Sequence, residues 1–218
     1  MRISKKETYF VLLVFLLAVI RGSSYIFIKN IITIQSPFEI VFFRFFTTGI
    51  ILLLFTIKQF KKVNRYDFIF GVLAGIFLFS AFAFQTYGIK YTTVSKQSFL
   101  TSLYIIFIPL FNFIFFKKKI SKEIAFLFFI ILIGVFFISF QDFKNFEISL
   151  NLGDILTLLC ALGFSLNIIT LSKTEKYNVN IINITVIQML IIGILSLLFH
   201  FIIEKSRIGF SINFSLIY

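Results

Sequence analysis

The sequence predicts an all-α integral membrane protein with seven transmembrane helices. Three observations carry that prediction. Of the 218 residues, 59% are hydrophobic and only 14% are charged, where a soluble domain averages about 25% charged residues. Mean hydropathy is +1.03. The apolar residues gather in seven stretches of about 20, the length a helix needs to cross a hydrocarbon core about 30 Å thick. The charges fall in short connections between them, so consecutive helices should be antiparallel neighbours.

The first stretch, 8–28, follows Arg2, Lys5 and Lys6 and contains the small residues Gly22, Ser23 and Ser24. That pattern also suits a cleaved leader. The apolar run continues through Tyr25 to Ile28 and six more stretches follow, so a retained helix fits better. The second, 37–57, opens Ser36-Pro37-Phe38-Glu39, which reads as N-cap, proline at the first helical position and capping-box glutamate. The third, 67–88, carries Gly71, Gly75, Ala81 and Ala83, small residues that let helices approach closely. In the fourth, 97–116, Ser98, Thr101, Ser102 and Ile105 share a helical stripe. Pro109 should kink that helix near its middle and is a candidate gate. The fifth stretch is 123–140. The sixth, 153–171, starts after Asn151-Leu152-Gly153-Asp154, a cap with a carboxylate in the first turn, where the helix dipole favours it. Cys160 inside it reads as a small apolar filler. The seventh runs 180–203.

One cysteine and one histidine leave no disulfide framework and no Cys/His zinc site. His200 reads as lying near the end of an apolar stretch with no acidic neighbour, which disfavours a histidine-dependent triad. No Gly-rich phosphate loop of the Walker type is present. These residues predict neither an enzyme nor a cofactor or metal site. The net charge of +12 reflects loops facing an anionic membrane surface rather than nucleic acid. Thirteen Lys and Arg fall on one side of the predicted topology and six on the other, with Arg21 and Arg44 inside spans. The positive-inside rule puts the N-terminus in the cytoplasm and the protein, as a multi-pass chain, in the cell membrane.

A weak internal repeat is also visible. Gly22-Ser23-Ser24-Tyr25-Ile26 in span 1 matches Gly163-Phe164-Ser165-Leu166-Asn167 in span 6, an offset of 141. The span-2 run from Arg44 to Ile51 matches the span-7 run from Gln188 to Leu195, an offset of 144. A five-span repeat is odd, so the second copy enters the membrane inverted. Inverted repeats are a transporter design, with the substrate site near the midplane between copies. The expected division is 1–145 for a five-helix repeat and 150–218 for the start of a second, incomplete one. About 70–80 residues, three spans, would complete it, and the tail 208–218 is too short to be one of them.

Polar groups inside spans are functional candidates by default. All nine carboxylates lie in loops or at span ends, which disfavours a mid-membrane acidic proton relay. Arg44 and Arg21 each sit about seven residues, roughly 10 Å, from the same face. Two guanidinium groups at one depth could cradle a carboxylate, while snorkelling to the interface is the alternative. The 35 Phe are read mainly as lipid-facing.

The run from Arg21 through Gly22-Ser23-Ser24-Tyr25 to Lys29, Phe43-Arg44-Phe45, and Tyr87-Gly88-Ile89-Lys90-Tyr91-Thr92-Thr93 resemble the drug/metabolite transporter superfamily, EamA-type permeases. So do the run from Ser95 to Tyr104 with Pro109, and Leu152-Gly153-Asp154-Ile155-Leu156-Thr157-Leu158. The resemblance covers nearly the whole chain, and the order and spacing of its motifs are more specific than any one of them. It implies ten helices in two inverted repeats that move small metabolites by alternating access, often as exporters of amino acids. Such proteins usually carry an uncharged residue where Arg21 stands, a departure that either takes this position out of the usual substrate contacts or points to an anionic substrate. The implied path is lined by Arg44, Arg21, Ser24, Gln85, Ser98, Thr101, Tyr104, Ser165 and Asn167. The expected partners are a small-molecule substrate and the lipid bilayer, with a homodimer left open. A non-transporting membrane scaffold or accessory subunit is the second reading.

Overall fold

The computed structural model describes residues 5–117, 121–139 and 151–204, and among these every regular element is helical. The helices are α1 (Lys5–Ile31), α2 (Pro37–Phe60), α3 (Arg65–Tyr91), α4 (Val94–Ser102), α5 (Tyr104–Phe116), α6 (Lys122–Ser139), α7 (Leu152–Ser172) and α8 (Ile181–Phe199). A 3-10 turn, Lys173–Lys176, follows α7, and a π-helical turn, His200–Glu204, extends α8. Helices α4 and α5 form one rod broken at Leu103, so there are seven rods, one for each apolar stretch of the sequence. Six are long and apolar enough to cross a membrane: Tyr9–Ile31, Pro37–Phe60, Arg65–Tyr91, Val94–Phe116, Leu152–Lys176 and Ile181–Glu204. The shorter α6 is not among them. The tail 208–218 lies outside the described residues.

The centre of the bundle is α3, packed on α7 and α8, with α2 laid against α8. Glycine sets the spacing. A Cβ added at Gly71 would meet Ile187 Cβ at 2.7 Å, and one at Gly75 would meet Ile191 Cβ at 2.8 Å. Each pair is offset by one turn from the next, so α3 and α8 run parallel. On its other face α3 runs antiparallel to α7. Here Gly163 lies on the Ala81 backbone, where an added Cβ would come within 2.9 Å of Ala81 N, and Gly153 lies on Gly88, 2.7 Å from its carbonyl oxygen on the same test. Gly49 and Gly193 seat α2 against α8 by contacts with Leu190 and Phe46. Close backbone approach is the packing that membrane helices favour, because apolar burial gives little driving force in lipid.

Two buried carboxylates fasten the helix starts. Asn64 and Asp67 form a complete capping box on α3, and Asn151 and Asp154 form the same box on α7. Each satisfies amides that would otherwise be orphaned. Asp67 also accepts from Asn180 N at 2.8 Å and Asn183 Nδ2 at 3.0 Å, tying α3 to the start of α8. Asp154 pairs with Lys96 of α4 at 2.6 Å and accepts from Thr92 Oγ1 at 2.8 Å. Lys29 of α1 donates to the carbonyls of Ile89 and Thr92 at the finish of α3. We call this the upper end of the bundle, where α2, α4 and α7 start, and the opposite one the lower end.

Three local expectations are corrected. Ser36 stands at the N-cap of α2 and Pro37 is its first residue, but Ser36 makes no side-chain cap bond. Its hydroxyl turns to His200 instead, and Glu39 Oε1 is buried without a hydrogen-bond partner rather than closing a capping box. The break in the fourth rod falls at Leu103, ahead of Pro109, where the chain tightens to an i→i+3 bond from Leu103 N to Leu100 O. The expected polar stripe does not share one environment: within α4, Ser98 is exposed and Thr101 buried. The phenylalanines divide, with Phe38, Phe45, Phe79, Phe82 and Phe164 in the main core cluster and others, such as Phe55 and Phe68, exposed.

Candidate functional site

At mid-bundle, five helices leave a cavity of about 240 Å³. Phe45 of α2, Leu78 and Phe82 of α3, Tyr104 of α5, Phe164, Asn167 and Ile168 of α7, and Met189 of α8 line it. The walls are aromatic. Phe82 meets Phe164 edge-on at 5.2 Å, and Phe45 leans on Phe82 at 4.4 Å. Two polar residues, Tyr104 and Asn167, break the apolar lining. Asn167 is fixed by donation from Nδ2 to Ala74 O at 2.9 Å. A small apolar chamber with few oriented polar groups is the usual form of a small-molecule site.

Arg44 stands beside this chamber. Its guanidinium lies 5.2 Å from the centroids of both Phe45 and Phe82, two of the rings that wall the cavity. Cation–π attraction of this kind is worth about 0.5–2 kcal/mol, more when desolvated. On its other side Arg44 borders a groove of about 310 Å³ between α1 and α2, together with Ser24, Gln35 and Ile40. A further cavity of about 450 Å³ opens at the lower end between α3, α5 and α7, with Lys173, Glu175 and Lys176 on its rim. Lys173 Nζ sits 3.7 Å from the Phe116 ring centroid there.

The structure therefore sorts the expected site residues into groups. Tyr104 and Asn167 share the central cavity, and Arg44 and Ser24 share the α1–α2 groove. Gln85 is buried and donates to Tyr25 Oη at 2.9 Å, while Gln97 Nε2 donates to the Gln85 carbonyl. Thr101 is buried against Cys160. Ser165 is fully buried and donates back to Ala161 O at 2.7 Å, with Tyr104 O at 3.2 Å. Ser98 is exposed and bonds Val94 O. Pro109 lines a groove of about 320 Å³ between α5 and α6, away from the central cavity. Arg21 lies in α1, and its side chain is outside the described residues. Phe45, Phe82, Phe164 and Met189 were not foreseen as lining residues. Their signal is weak, since nothing in a Phe-rich sequence distinguishes a cavity-facing ring from a lipid-facing one.

No group of three or more metal-ligating side chains occurs among the described residues. The helices form a many-spanning bundle seated on glycines around a small central chamber. Residues 8–140 match the EamA-like transporter family, and the chain belongs to that family. A curated relative, an "Uncharacterized transporter" from Archaeoglobus fulgidus, is 31% identical over 161 residues, covering 74% of this chain and 48% of the relative. The chain thus spans about half the length of the curated relative it matches. No solved structure matches it.

Proposed function

We propose that this protein is a secondary transporter that exports a small polar metabolite, such as an amino acid or a related organic anion, by alternating access. The observation that carries the reading is the central cavity. Helices from both ends of the chain build it, its size suits a small metabolite, and Arg44 stands against two of its walls. Tyr104 and Asn167 would orient the solute's polar groups, and the aromatic rings would hold its apolar part. Arg44 would meet its carboxylate, which guanidinium can bind bidentately. Family membership supports the substrate class, since such proteins take small molecules across a membrane. Under this reading the repeat consists of α1–α6 followed by α7 and α8 as the start of an inverted copy. The lysine-rich lower end, where α2 finishes and α3 starts, would face the cytoplasm.

The test is efflux from proteoliposomes loaded with a mixture of amino acids and small organic acids, read by mass spectrometry. Arg44→Gln should lower efflux of the transported species at least about tenfold, the loss of one charge-assisted contact, while membrane insertion is unchanged. Efflux at the wild-type rate would remove Arg44 from the path.

A further inference from the structure

We propose that the α5–α6 groove and the basic cavity at the lower end form one binding site for an anionic phospholipid, with an acyl chain in the groove and the phosphate on Lys173 and Lys176. The groove, of about 320 Å³, is apolar, with Ile105, Ile108, Ile124, Leu127 and Phe128 among its walls. It exists because α6 approaches α4 more closely than α5. Gly134 sets that lean, since an added Cβ there would meet the Phe99 ring at 2.7 Å. Asn112 is the one polar side chain among the described residues of the groove, and it also lines the lower cavity of about 450 Å³. The two spaces therefore meet at Asn112. Along α5, Ile105, Pro109, Asn112 and Phe116 follow at steps of four, three and four, which is one face of a helix. The first three border the groove and the last two the cavity. That face leads from mid-membrane to the membrane surface, the direction in which a lipid of that leaflet lies.

Depth and charge support the same occupant. The spans through α5 and α7 finish at Phe116 and Lys176, both at the cavity. Tyr66 and Tyr177 lie beside it with ring centroids 4.6 Å apart, and both are exposed, as tyrosines at a membrane interface are. Lys173 Nζ, held 3.7 Å from the Phe116 ring centroid, is thus carried to the border between hydrocarbon and headgroups. Lys176 is the second cation and Glu175 the one carboxylate among the described lining residues. These three leave a net positive charge, and the sequence adds Lys117, Lys118 and Lys119 directly after Phe116. An anionic headgroup complements that charge, whereas a zwitterionic one brings a further cation to it. The phosphate accepts from the two ammonium groups, and a headgroup hydroxyl, as in phosphatidylglycerol, donates to Glu175. Asn112, one turn deeper than Phe116, offers an amide donor to an ester carbonyl, the kind of partner a polar side chain within a span needs. The site takes lipid rather than the transported solute and does not rest on the transport reading.

The chain contains no tryptophan, so one introduced tryptophan reports alone. Phe128→Trp puts it in the groove, and Phe55→Trp, at an exposed position of α2, serves as the reference. Each full chain is reconstituted in phosphatidylcholine bilayers that contain phosphatidylglycerol, and fluorescence quenching is measured with bromine on the acyl chains of either lipid in turn. At Phe128→Trp the anionic lipid should be preferred by about fivefold or more, the effect of one lysine at an anionic surface. At Phe55→Trp the two lipids should quench in proportion to their amounts. Lys173→Gln with Lys176→Gln, both at exposed positions, should bring the groove reporter to the same proportionality, while Lys173→Arg with Lys176→Arg should keep the preference. Inorganic phosphate or glycerol phosphate in the buffer should leave it unchanged. Loss of the preference on adding either would mean that a free anion takes the site, and would overturn the lipid assignment. Proportional quenching at both reporters, a preference that survives the glutamine pair, or one lost in the arginine pair would overturn it as well. The assay contains no solute, so absent efflux alongside an intact lipid preference would count against the transporter reading alone.

Discussion

Single residues decide how charge survives inside this bundle. Lys96 and Asp154 are 3% and 0% exposed and pair at 2.6 Å. Removing one partner of such a pair leaves an uncompensated buried charge and costs about 3–5 kcal/mol. Lys96→Met should therefore lower the thermal midpoint of the purified protein sharply. Lys90→Met, at an exposed position of α3, should leave it nearly unchanged. Equal midpoints for the two would show that the ion pair contributes nothing to holding α4 on α7. Arg44 belongs to a different class. It is exposed along one side and stacked on cavity-wall rings, so its replacement should be read in efflux rather than in stability.

At the scale of the helix, backbone proximity does the work that apolar burial does in soluble proteins. Gly163→Ala would press a Cβ against the Ala81 backbone, at 2.9–3.0 Å from N and Cα, which side-chain rotation cannot relieve. It should destabilise the α3–α7 pair by about 1–3 kcal/mol, measured as a lower unfolding midpoint in detergent. Gly22→Ala has nothing within 4 Å of the new atom and should be neutral or slightly stabilising, as alanine favours helix. A neutral Gly163→Ala would contradict the packing described. The helices themselves were legible in the sequence, because an apolar run of membrane length admits few other structures. The span at 37–57 became Pro37–Phe60 and that at 153–171 became Leu152–Ser172. The capping box at Asn151 was legible too, since it depends only on neighbours in sequence. The break at Leu103 was not, because Pro109 gave a stronger local signal for a kink than anything around Leu103.

At the scale of the whole molecule, what the sequence hid is what long-range contact creates. His200 and Glu204 stand four apart, a helical pairing distance, yet were read as unrelated because the apolar run masked their shared face. Nothing local could have joined Glu204 to Tyr87 and Phe38, which lie more than a hundred residues earlier. The cavity was half legible: Tyr104 and Asn167 stood out as polar residues in apolar spans, whereas Phe82 and Phe164 were lost among 35 phenylalanines. Membership of the EamA-like family and the many-spanning helical bundle were expected from the ordered motifs, and the family match and the structure both support them.

If solute passes through the mid-bundle cavity, as proposed, filling that cavity should block it. Efflux should be compared among the wild type, Met189→Trp, which narrows the chamber from α8, and Ile133→Trp, which alters an exposed position of α6. Efflux of at least one small amino acid or organic anion is expected from the wild type, the same rate from Ile133→Trp, and a rate at least about tenfold lower from Met189→Trp, a barrier increase of about 1.4 kcal/mol or more. Undiminished efflux through Met189→Trp, with the protein correctly inserted, would contradict it.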